Sequence, residues 1–426
     1  MTERVTPASR LRGSVRLPGD KSISHRYAML GAIAEGVTRI RNYSAGADCL
    51  STLECLHGLG VPWAHEGHEV TIAGAGWEGL KAPAEMLNAG NSGSTIRMLS
   101  GILAAQPFTT RIGGDESLSR RPMDRIMRPL EAMGASIEAR DGRYPPLEIR
   151  GGRLRPIDYE LPVASAQVKT CVLLAGLFAE GTTVVREPVR TRDHTELALK
   201  EFGAEVQVRE RVITVRGPAR LKARELEAPG DLSSAAFFLV AALLVEGSEL
   251  VLEQVGLNPT RAGLLDFLAG MGAPLRVPRL EQRAGELVGD IVVRHGRVRG
   301  GVIEKGLTAA LIDEIPVLAV LGAASEQGLE VRDAAELRVK ETDRIATLAE
   351  NLGRMWVNIE VRPDGFRVPG GQRFRAAELD SFGDHRIAMA AAVAALAADG
   401  ESTIEGAEAA GVSYPGFFAA LEKLRS

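Results

Sequence analysis

The stretch PGDKSISHRYAMLGAIAEG, from Pro18 to Gly36, carries the pattern that predicts the fold. It opens with a glycine-containing polar turn, continues as an apolar run of helix length and closes at Glu-Gly. Similar openings recur, spaced roughly 70 residues apart, so that six of them account for almost the whole chain. The other five are GNSGSTIRMLSGILAAQP from Gly90, PVASAQVKTCVLLAGLFAEG from Pro162, PGDLSSAAFFLVAALLVEG from Pro229, LIDEIPVLAVLGAASEQG from Leu311 and FGDHRIAMAAAVAALAADG from Phe382.

Each opening is followed by a short strand pattern, a second amphipathic helix and alternating strands. In the first repeat the strand pattern lies near Val37 to Arg41, and the second helix ends at Leu59-Gly60, where glycine suits a left-handed C-cap. The repeated unit is therefore predicted as strand-helix-strand-helix-strand-strand. Ordinary α/β alternation would not restore the same turn, helix and Leu-x-Gly ending at one period.

Six modules divide naturally into two similar domains of three modules each. We expect a first domain over residues 21–228 and a second over 1–20 and 229–426, with a boundary near Glu227 to Gly230 and an active-site cleft between the domains. We predict an α/β fold of pseudo-threefold symmetry within each domain, with sheets outside and the first helix of each module inside.

Composition excludes several classes of protein. The chain has 51 basic and 55 acidic side chains, without the basic excess of a nucleic-acid binder. Three cysteines match no zinc-site spacing, and the longest apolar run, Ala235 to Val245, is too short to span a bilayer. We expect a cytoplasmic, monomeric protein that binds neither membrane nor nucleic acid and needs no metal or cofactor.

Polar and charged residues concentrate at the helix openings, where unpaired N–H groups attract anions. The openings hold Lys21, Ser22, Arg26, Asn91, Gly93, Ser94, Arg97, Ser165, Gln167, Lys169, Asp313, Glu314, Asp384, His385 and Arg386. Further basic clusters follow the first helices at Arg120, Arg121, Arg190, Arg192, Arg338, Lys340 and Arg344. Arginine forks suit phosphate and carboxylate, so these residues predict a site for small anionic ligands.

Two carboxylates complete the predicted site. Asp313 lies at a helix opening within an apolar sequence, and Glu341 follows Lys340. A carboxylate among cations stays ionised and accepts a proton, whereas one in a drier pocket donates one. The alternatives are helix capping for Asp313 and a surface salt bridge for Glu341.

Five motifs together resemble the 5-enolpyruvylshikimate-3-phosphate synthase family over essentially the full length. They are LPGDKSISHR from Leu17, GNSGSTIR from Gly90, RRPM from Arg120, VKETDR from Val339 and GDHR from Gly383. The resemblance implies an enolpyruvyl transferase-like inside-out α/β barrel of βαβαββ repeats. It also implies transfer of the enolpyruvyl group of phosphoenolpyruvate to the 5-hydroxyl of shikimate 3-phosphate, with release of phosphate, in chorismate and aromatic amino acid biosynthesis.

The resemblance also implies a role for each matching residue. Shikimate 3-phosphate would be held by Lys21, Ser22, Arg26, Ser165, Gln167, Arg192, Asp313 and Lys340. Phosphoenolpyruvate would be held by Lys21, Gly93, Arg121, Gln167, Arg344 and Arg386. Asp313 would accept the proton of the attacking hydroxyl, and Glu341, assisted by Lys21, would protonate the methylene carbon. His385 would lie near this proton transfer.

Three positions depart from the family pattern, and one of them is Glu336, where some relatives carry asparagine. Ala166 stands where many relatives have a second serine, and Val412 stands where some have a lysine that contacts phosphoenolpyruvate. We hypothesise that Lys169 compensates for that lysine. Because Gly93 has no side chain to fill the pocket, we expect glyphosate to inhibit by competing with phosphoenolpyruvate.

Two other functions remain open from the sequence. The nearest is enolpyruvyl transfer to UDP-N-acetylglucosamine, a related reaction whose enzymes usually carry a reactive cysteine in a loop that here reads Gly113 to Ser117 without one. The other is a non-catalytic repeat protein that binds a polyanion, against which the net charge of -4 argues.

Overall fold

The computed structural model describes residues 1–425 as two compact units. The first unit contains residues 19–228 and the short segment 283–286. The second unit contains residues 1–18, 229–282 and the chain from 287 onward. Each unit buries its own apolar core, so each has the packing of an independent domain.

The strands are short, as expected for small sheets. They are β1 (Thr2–Val5), β2 (Arg12–Arg16), β3 (Ala34–Arg41), β4 (Trp63–Glu66), β5 (Glu69–Ala75), β6 (Leu87–Asn88), β7 (Thr109–Gly113), β8 (Ser136–Arg140), β9 (Tyr144–Arg150), β10 (Asp158–Glu160), β11 (Gly181–Arg186), β12 (Val206–Arg209), β13 (Val212–Gly217), β14 (Leu221–Lys222), β15 (Glu225–Glu227), β16 (Glu249–Gly256), β17 (Leu275–Arg283), β18 (Glu286–Arg294), β19 (Gly301–Ile303), β20 (Leu329–Val331), β21 (Glu360–Arg362), β22 (Gly365–Val368), β23 (Glu378–Asp380) and β24 (Ser402–Glu405).

The helices include the long apolar ones that the six openings predicted. They are α1 (Lys21–Ile33), α2 (Ala47–Gly58), α3 (Gly93–Leu103), α4 (Glu116–Ser119), α5 (Asp124–Met133), α6 (Ala166–Gly176), α7 (His194–Glu201), α8 (Leu232–Leu244), α9 (Gly263–Gly270), α10 (Gly306–Leu311), α11 (Ile315–Ala324), α12 (Arg344–Arg354), α13 (His385–Leu396) and α14 (Phe417–Lys423), with 3-10 helices at Ala335–Val339 and Ala407–Val412.

The strands form six separate sheets, and five of them repeat one topology. The orders β6-β7-β9-β8, β10-β11-β13-β12 and β19-β20-β22-β21 show it directly: a parallel pair, followed by two antiparallel neighbours. The predicted α/β class and its βαβαββ module are therefore confirmed. None of the sheets closes on itself within residues 1–425, so any barrel is built from separate sheets rather than from one continuous sheet.

Three modules differ from the predicted chain order, and one of them is the fourth, whose strand β16 takes its parallel partner β2 from residues 12–16. The first module takes its parallel strands from β14 and β15, which pair with β3 at the other end of the first unit's sequence. The sixth module has no closing hairpin, and β1 pairs with β24 to complete a sheet of three strands. The prediction that all six modules have the same order along the chain was therefore wrong for these modules, because a strand can be supplied from a distant part of the chain.

The first helix of each module is buried on all sides. In α8 only Leu244 is partly exposed, and every residue of α13 is buried. Helices α1, α3 and α6 pack in the first unit, and α8, α11 and α13 pack in the second. A helix that is apolar all round has to lie in a core, which explains why these segments carry alanine, leucine and valine on every face.

Most of these inner helices begin at a side-chain cap. Asp20, Ser92, Ser165, Asp231 and Asp384 each accept a hydrogen bond from a backbone N–H of the first turn. Short polar side chains at the N-cap satisfy donors that the helix itself cannot. The polar turns of the sequence motifs are therefore structural in part, and they fix the direction in which the adjoining charged residues project. Within residues 1–425, no helix combines the length and hydropathy needed to cross a bilayer.

Candidate active site

Lys21 opens α1 and pairs with a carboxylate from the next helix. Its Nζ lies 2.9 Å from Oδ2 of Asp48, which sits in the first turn of α2. Lys21 remains 19% exposed, so its ammonium group is held in place yet accessible. A lysine oriented by a carboxylate is a suitable donor to an anionic ligand.

Side chains at the start of α3 and α6 are linked to each other. Arg97 Nη1 donates to Oε1 of Gln167 at 2.9 Å. Gln167 Nε2 in turn donates to Oγ of Ser94 at 2.9 Å. The two helix ends are thus tied by hydrogen bonds between side chains that also have polar atoms suited to a ligand.

Gly93 leaves a space between two guanidinium groups. A Cβ added at Gly93 would lie 3.0 Å from Nη1 of Arg97 and 3.5 Å from Nη1 of Arg121. Arg121 is oriented by Asn91, whose Oδ1 accepts from Nη2 at 2.7 Å. Two arginines and the N-terminus of α3 therefore converge on one small volume, as an anion site requires.

Arg26 is almost fully buried among hydroxyl groups. Nε donates to Oγ1 of Thr195 at 2.7 Å, and Nη2 donates to Oγ1 of Thr170 at 2.8 Å. Nη1 donates to the carbonyl of Ser22 at 2.7 Å. Burial lowers the pKa of Arg26 to about 10, and the charge of Glu196 opposes that change. Arg26 is therefore still cationic at neutral pH.

Ser165 and Arg192 belong to the same unit. The Ser165 hydroxyl accepts from Val168 N at 3.4 Å as the cap of α6. Arg192 is partly exposed in the turn before α7, where the neighbouring Arg190 donates to Asp193 at 3.0 Å. The site residues predicted in the first unit lie at the starts of α1, α3 and α6 or shortly before α5 and α7.

In the second unit, Asp313 lies between α10 and α11 beside two cations. Its Oδ1 is 3.8 Å from Lys340 Nζ and 3.6 Å from Arg344 Nη1. The N-cap of α11 is Glu314, which makes no capping hydrogen bond through its side chain. Helix capping therefore does not explain Asp313, and the carboxylate between two cations fits a proton acceptor.

Arg344 is the centre of a buried group of charges. Nε donates to Asp384 Oδ2 at 2.7 Å, and Nη2 donates to Glu341 Oε2 at 2.6 Å. Burial by itself would lower the pKa of Arg344, but the charges of Asp384 and Glu341 outweigh burial and raise it. Glu341 therefore pairs with a buried arginine, not with the exposed partner of an ordinary surface salt bridge.

Arg386 and His385 begin α13. The guanidinium carbon of Arg386 lies 5.8 Å from the centre of the Phe237 ring, which contributes a cation–π contact. Its Nη1 is buried and makes no hydrogen bond within residues 1–425. Such a donor is suited to an incoming anion. His385 is buried, with Nδ1 4.0 Å from Asp384 Oδ1.

The hypothesis that Lys169 contacts a ligand was wrong. Lys169 is fully buried, and its Nζ lies 2.7 Å from Glu196 Oε1 and 3.1 Å from Glu187 Oε1. Its long side chain reaches two carboxylates inside the first unit. Lys169 therefore cannot replace a lysine at the position of Val412.

Sequence reasoning missed three acidic residues and gave no role to a fourth. Asp48, Glu187 and Glu196 had no motif around them, although each is paired with a lysine in the structure. Asp384 stood in a recognised motif but had been assigned no role. Among residues 1–425, no set of three His, Cys, Asp or Glu side chains is arranged to hold a metal ion.

The sequence and the fold both match characterised proteins. The family model of EPSP synthase (3-phosphoshikimate 1-carboxyvinyltransferase) matches residues 5–421. The 3-phosphoshikimate 1-carboxyvinyltransferase of Solibacter usitatus is 66% identical over 100% of both chains, and that of Koribacter versatilis is 54% identical over 99% of this chain and 98% of the relative.

Solved structures agree with these relatives. EPSP synthase from Acinetobacter baumannii has a TM-score of 0.89 and 42% identity, covering 100% of this chain and 98% of that one. The enolpyruvyl transferase NikO from Streptomyces tendae, at 21% identity and a TM-score of 0.80 over 99% of this chain and 96% of that one, shares the fold. The chain belongs to the EPSP synthase (3-phosphoshikimate 1-carboxyvinyltransferase) family.

Proposed function

We propose that the chain transfers the enolpyruvyl group of phosphoenolpyruvate to the 5-hydroxyl of shikimate 3-phosphate and releases phosphate. As a member of its family it is a transferase of aromatic amino acid biosynthesis. The observation that carries the proposal is the gathering of cations at inner-helix starts, together with Asp313 between Lys340 and Arg344. The two substrates bring two phosphates and two carboxylates, which need such a set of cations.

Eight residues are proposed to bind shikimate 3-phosphate. Its proposed residues are Lys21, Ser22, Arg26, Ser165, Gln167, Arg192, Asp313 and Lys340. The hydroxyl groups around Arg26 support this assignment, because they hold the guanidinium in one orientation without neutralising its charge. Ala166 provides no hydroxyl, so Ser165 and the helix N-terminus are the donors at that point.

The phosphoenolpyruvate site is proposed to hold the phosphate and carboxylate of that substrate with arginines. Its proposed residues are Lys21, Gly93, Arg121, Gln167, Arg344 and Arg386. The space beside Gly93 between two guanidinium groups supports the phosphate position. The buried Nη1 of Arg386 supports a carboxylate ligand in the second unit.

The proposed reaction proceeds by addition and elimination. The 5-hydroxyl oxygen bonds to C2 of phosphoenolpyruvate while Asp313 takes its proton and Glu341, assisted by Lys21, protonates C3. The tetrahedral intermediate then loses a proton from C3, the bond from C2 to the phosphate oxygen breaks and phosphate leaves. Glu341 and Asp313 both lie beside Arg344, so one buried cation can hold both carboxylates during these proton transfers. His385 is proposed as a neighbour of this transfer.

A coupled phosphate-release assay tests the reaction. Purified protein is incubated with phosphoenolpyruvate and either shikimate 3-phosphate or UDP-N-acetylglucosamine, beside the Asp313→Ala variant. We expect phosphate release with shikimate 3-phosphate alone and its near loss in the variant. Release with the nucleotide sugar, or equal release by the variant, would contradict the proposal.

Three further properties belong to the proposal. Glyphosate is expected to compete with phosphoenolpyruvate, because Gly93 leaves the anion site open; uncompetitive inhibition would count against this. We also propose a monomer, which sedimentation equilibrium tests directly. A cytoplasmic location is supported by three buried, unpaired cysteines, and fractionation of cells that express the tagged chain tests it.

A further inference from the structure

Lys169 is the most deeply buried charge in the first unit that the proposed reaction does not use. Its side chain is fully buried, and Glu187 and Glu196 are each no more than 3% exposed. Burying charges this deeply costs desolvation free energy, which must be offset by ion pairs and hydrogen bonds that fix the surrounding groups. The two carboxylates lie next to the segments that carry Arg26 and Arg192, and these segments are what the ion pairs position.

Glu187 fixes the turn that carries Arg192. Glu187 directly follows β11, and its Oε1 forms an ion pair with Lys169 Nζ at 3.1 Å and accepts a hydrogen bond from the backbone N of Thr191 at 3.2 Å. The Thr191 hydroxyl also donates to that oxygen. One carboxylate oxygen thus closes the turn immediately before Arg192, and Lys169 holds the carboxylate.

Glu196 links the same lysine to the surroundings of Arg26. Glu196 lies in the first turn of α7, next to Thr195, which accepts from Arg26 Nε. Lys169 is followed in α6 by Thr170, which accepts from Arg26 Nη2 and lies 2.6 Å from the Thr195 hydroxyl. Both hydroxyl groups that orient Arg26 therefore sit next to a member of the buried ion pair.

Charge balance gives Lys169 a second effect. Without the lysine, the buried Glu196 carboxylate, whose charge acts on Arg26, would lose its cation and weaken the attraction of Arg26 for an anion. Burial raises the pKa of Glu196, and the Lys169 ammonium opposes that rise.

We propose that Lys169 is a positioning residue for shikimate 3-phosphate. It holds the Glu187 turn that carries Arg192, and it offsets the charge of the Glu196 carboxylate near Arg26. This inference rests on the proposed function, because Arg26 and Arg192 are assigned to that substrate. The role differs from a ligand contact, since Lys169 acts through other residues.

The test measures binding of shikimate 3-phosphate by calorimetry, together with KM for each substrate. Lys169→Met is expected to raise the Kd for shikimate 3-phosphate by roughly tenfold or more, with a much smaller change in KM for phosphoenolpyruvate. Lys200→Met removes an exposed lysine from the end of α7 and is the matched control, with an expected Kd close to wild type. Unchanged binding in Lys169→Met, or a rise confined to KM for phosphoenolpyruvate, overturns the proposal.

A second variant keeps the proposal open to refutation if Lys169→Met does not fold. Glu196→Gln retains the lysine and removes one carboxylate charge, so it is expected to bind shikimate 3-phosphate roughly two- to threefold more tightly. Weaker binding in Glu196→Gln overturns the charge-balance role. The double variant Lys169→Met/Glu196→Gln is expected to regain part of the lost affinity, which a purely structural lysine would not predict.

Failure of the proposed reaction would be visible separately. The proposed reaction would be contradicted if the wild-type protein bound shikimate 3-phosphate in the calorimeter but released no phosphate with phosphoenolpyruvate. The role of Lys169 in binding then stands or falls on the same Kd values.

Discussion

The two units orient the arginines at or near the starts of their helices in different ways. In the first unit, Arg121 is oriented by the amide oxygen of Asn91, and Arg97 by that of Gln167. In the second unit, Arg344 is held by the carboxylates of Asp384 and Glu341. Neutral partners orient a guanidinium without cancelling its charge, whereas carboxylates cancel it.

This difference teaches what each set of residues is suited to do. The arginines near Gly93 keep a positive potential that attracts phosphate, so the first unit is suited to binding. Arg344 is surrounded by the carboxyl groups of Asp313, Glu341 and Asp384, so the second unit chiefly supplies carboxyl groups held in fixed positions for proton transfer. Each unit has one exception. In the first unit Lys21 is paired with the carboxylate of Asp48, and in the second unit Arg386 lies over the ring of Phe237.

The largest expected effect tests the second unit. Asp313→Asn keeps the shape of the side chain and removes the proton acceptor, so kcat is expected to fall by about 10²–10⁴-fold. Steady-state kinetics at saturating substrates measures the change. Asp364→Asn, an exposed change in the same unit, is the control. A kcat within tenfold of wild type would remove Asp313 from the chemistry.

A smaller effect is expected when a guanidinium with a neutral partner is removed. Arg121→Met should raise KM for phosphoenolpyruvate by roughly 10- to 100-fold, because a charge-assisted hydrogen bond to phosphate is lost. Arg120→Met is a close control, since Arg120 is the adjacent residue but is 73% exposed and paired with Glu116. Equal effects of the two substitutions would show that Arg121 is not specific to the anion site.

A still smaller effect is expected from filling the space between the arginines. Gly93→Ala places a methyl group 3.0 Å from Arg97 Nη1, and a flexible guanidinium can yield by a few tenths of an ångström. We expect KM for phosphoenolpyruvate to rise by about threefold to tenfold with little loss of stability. Gly353→Ala in α12, where an added Cβ meets nothing within 4 Å, is the control. An unchanged KM would show that the ligand does not occupy this space.

The sequence predicted the parts of the fold that depend on local chemistry. The inner helices were visible because a buried helix is apolar on every face, and their starts were visible because caps need short polar residues such as Asp20 and Ser92. The pairing of β1 with β24 was not predictable, because strand register depends on contacts between distant parts of the chain. The same holds for residues 283–286, which belong to the first unit although the flanking strands belong mostly to the second.

The sequence predicted the candidate-site residues at the helix starts but not the buried ion pairs that lie beneath them. Lys21, Arg121 and Asp313 lie in motifs whose residue types indicate anion binding or proton transfer. The burial of Lys169 was hidden, because its partners are 18 and 27 residues further along the chain and no local period connects them. A lysine at a helix opening was therefore interpreted as a ligand contact, whereas tertiary packing turned it inward.

The smallest predicted effect concerns His25, a buried residue of the first unit that lies near the cations Lys21 and Arg26. This histidine is buried behind the helix start, with Nδ1 2.7 Å from the Thr52 hydroxyl. Burial, followed by the charges of Lys21 and Arg26, lowers its pKa well below the usual 6.5, and Asp20 opposes this only weakly. His25 is therefore neutral in the folded protein.

Acidification should then favour unfolding. Below pH 6.5 the unfolded chain protonates His25 and the folded chain does not, so the free energy of unfolding falls as pH falls. Between pH 6.5 and 5.5 this one group should lower the free energy of unfolding by about 1 kcal/mol, measured by denaturant unfolding. His25→Gln should lose that part of the pH dependence, whereas His57→Gln, at an exposed position of α2, should retain it. If His25→Gln retained the full dependence, His25 would be charged in the fold, and burial beside Lys21 and Arg26 would not keep it neutral.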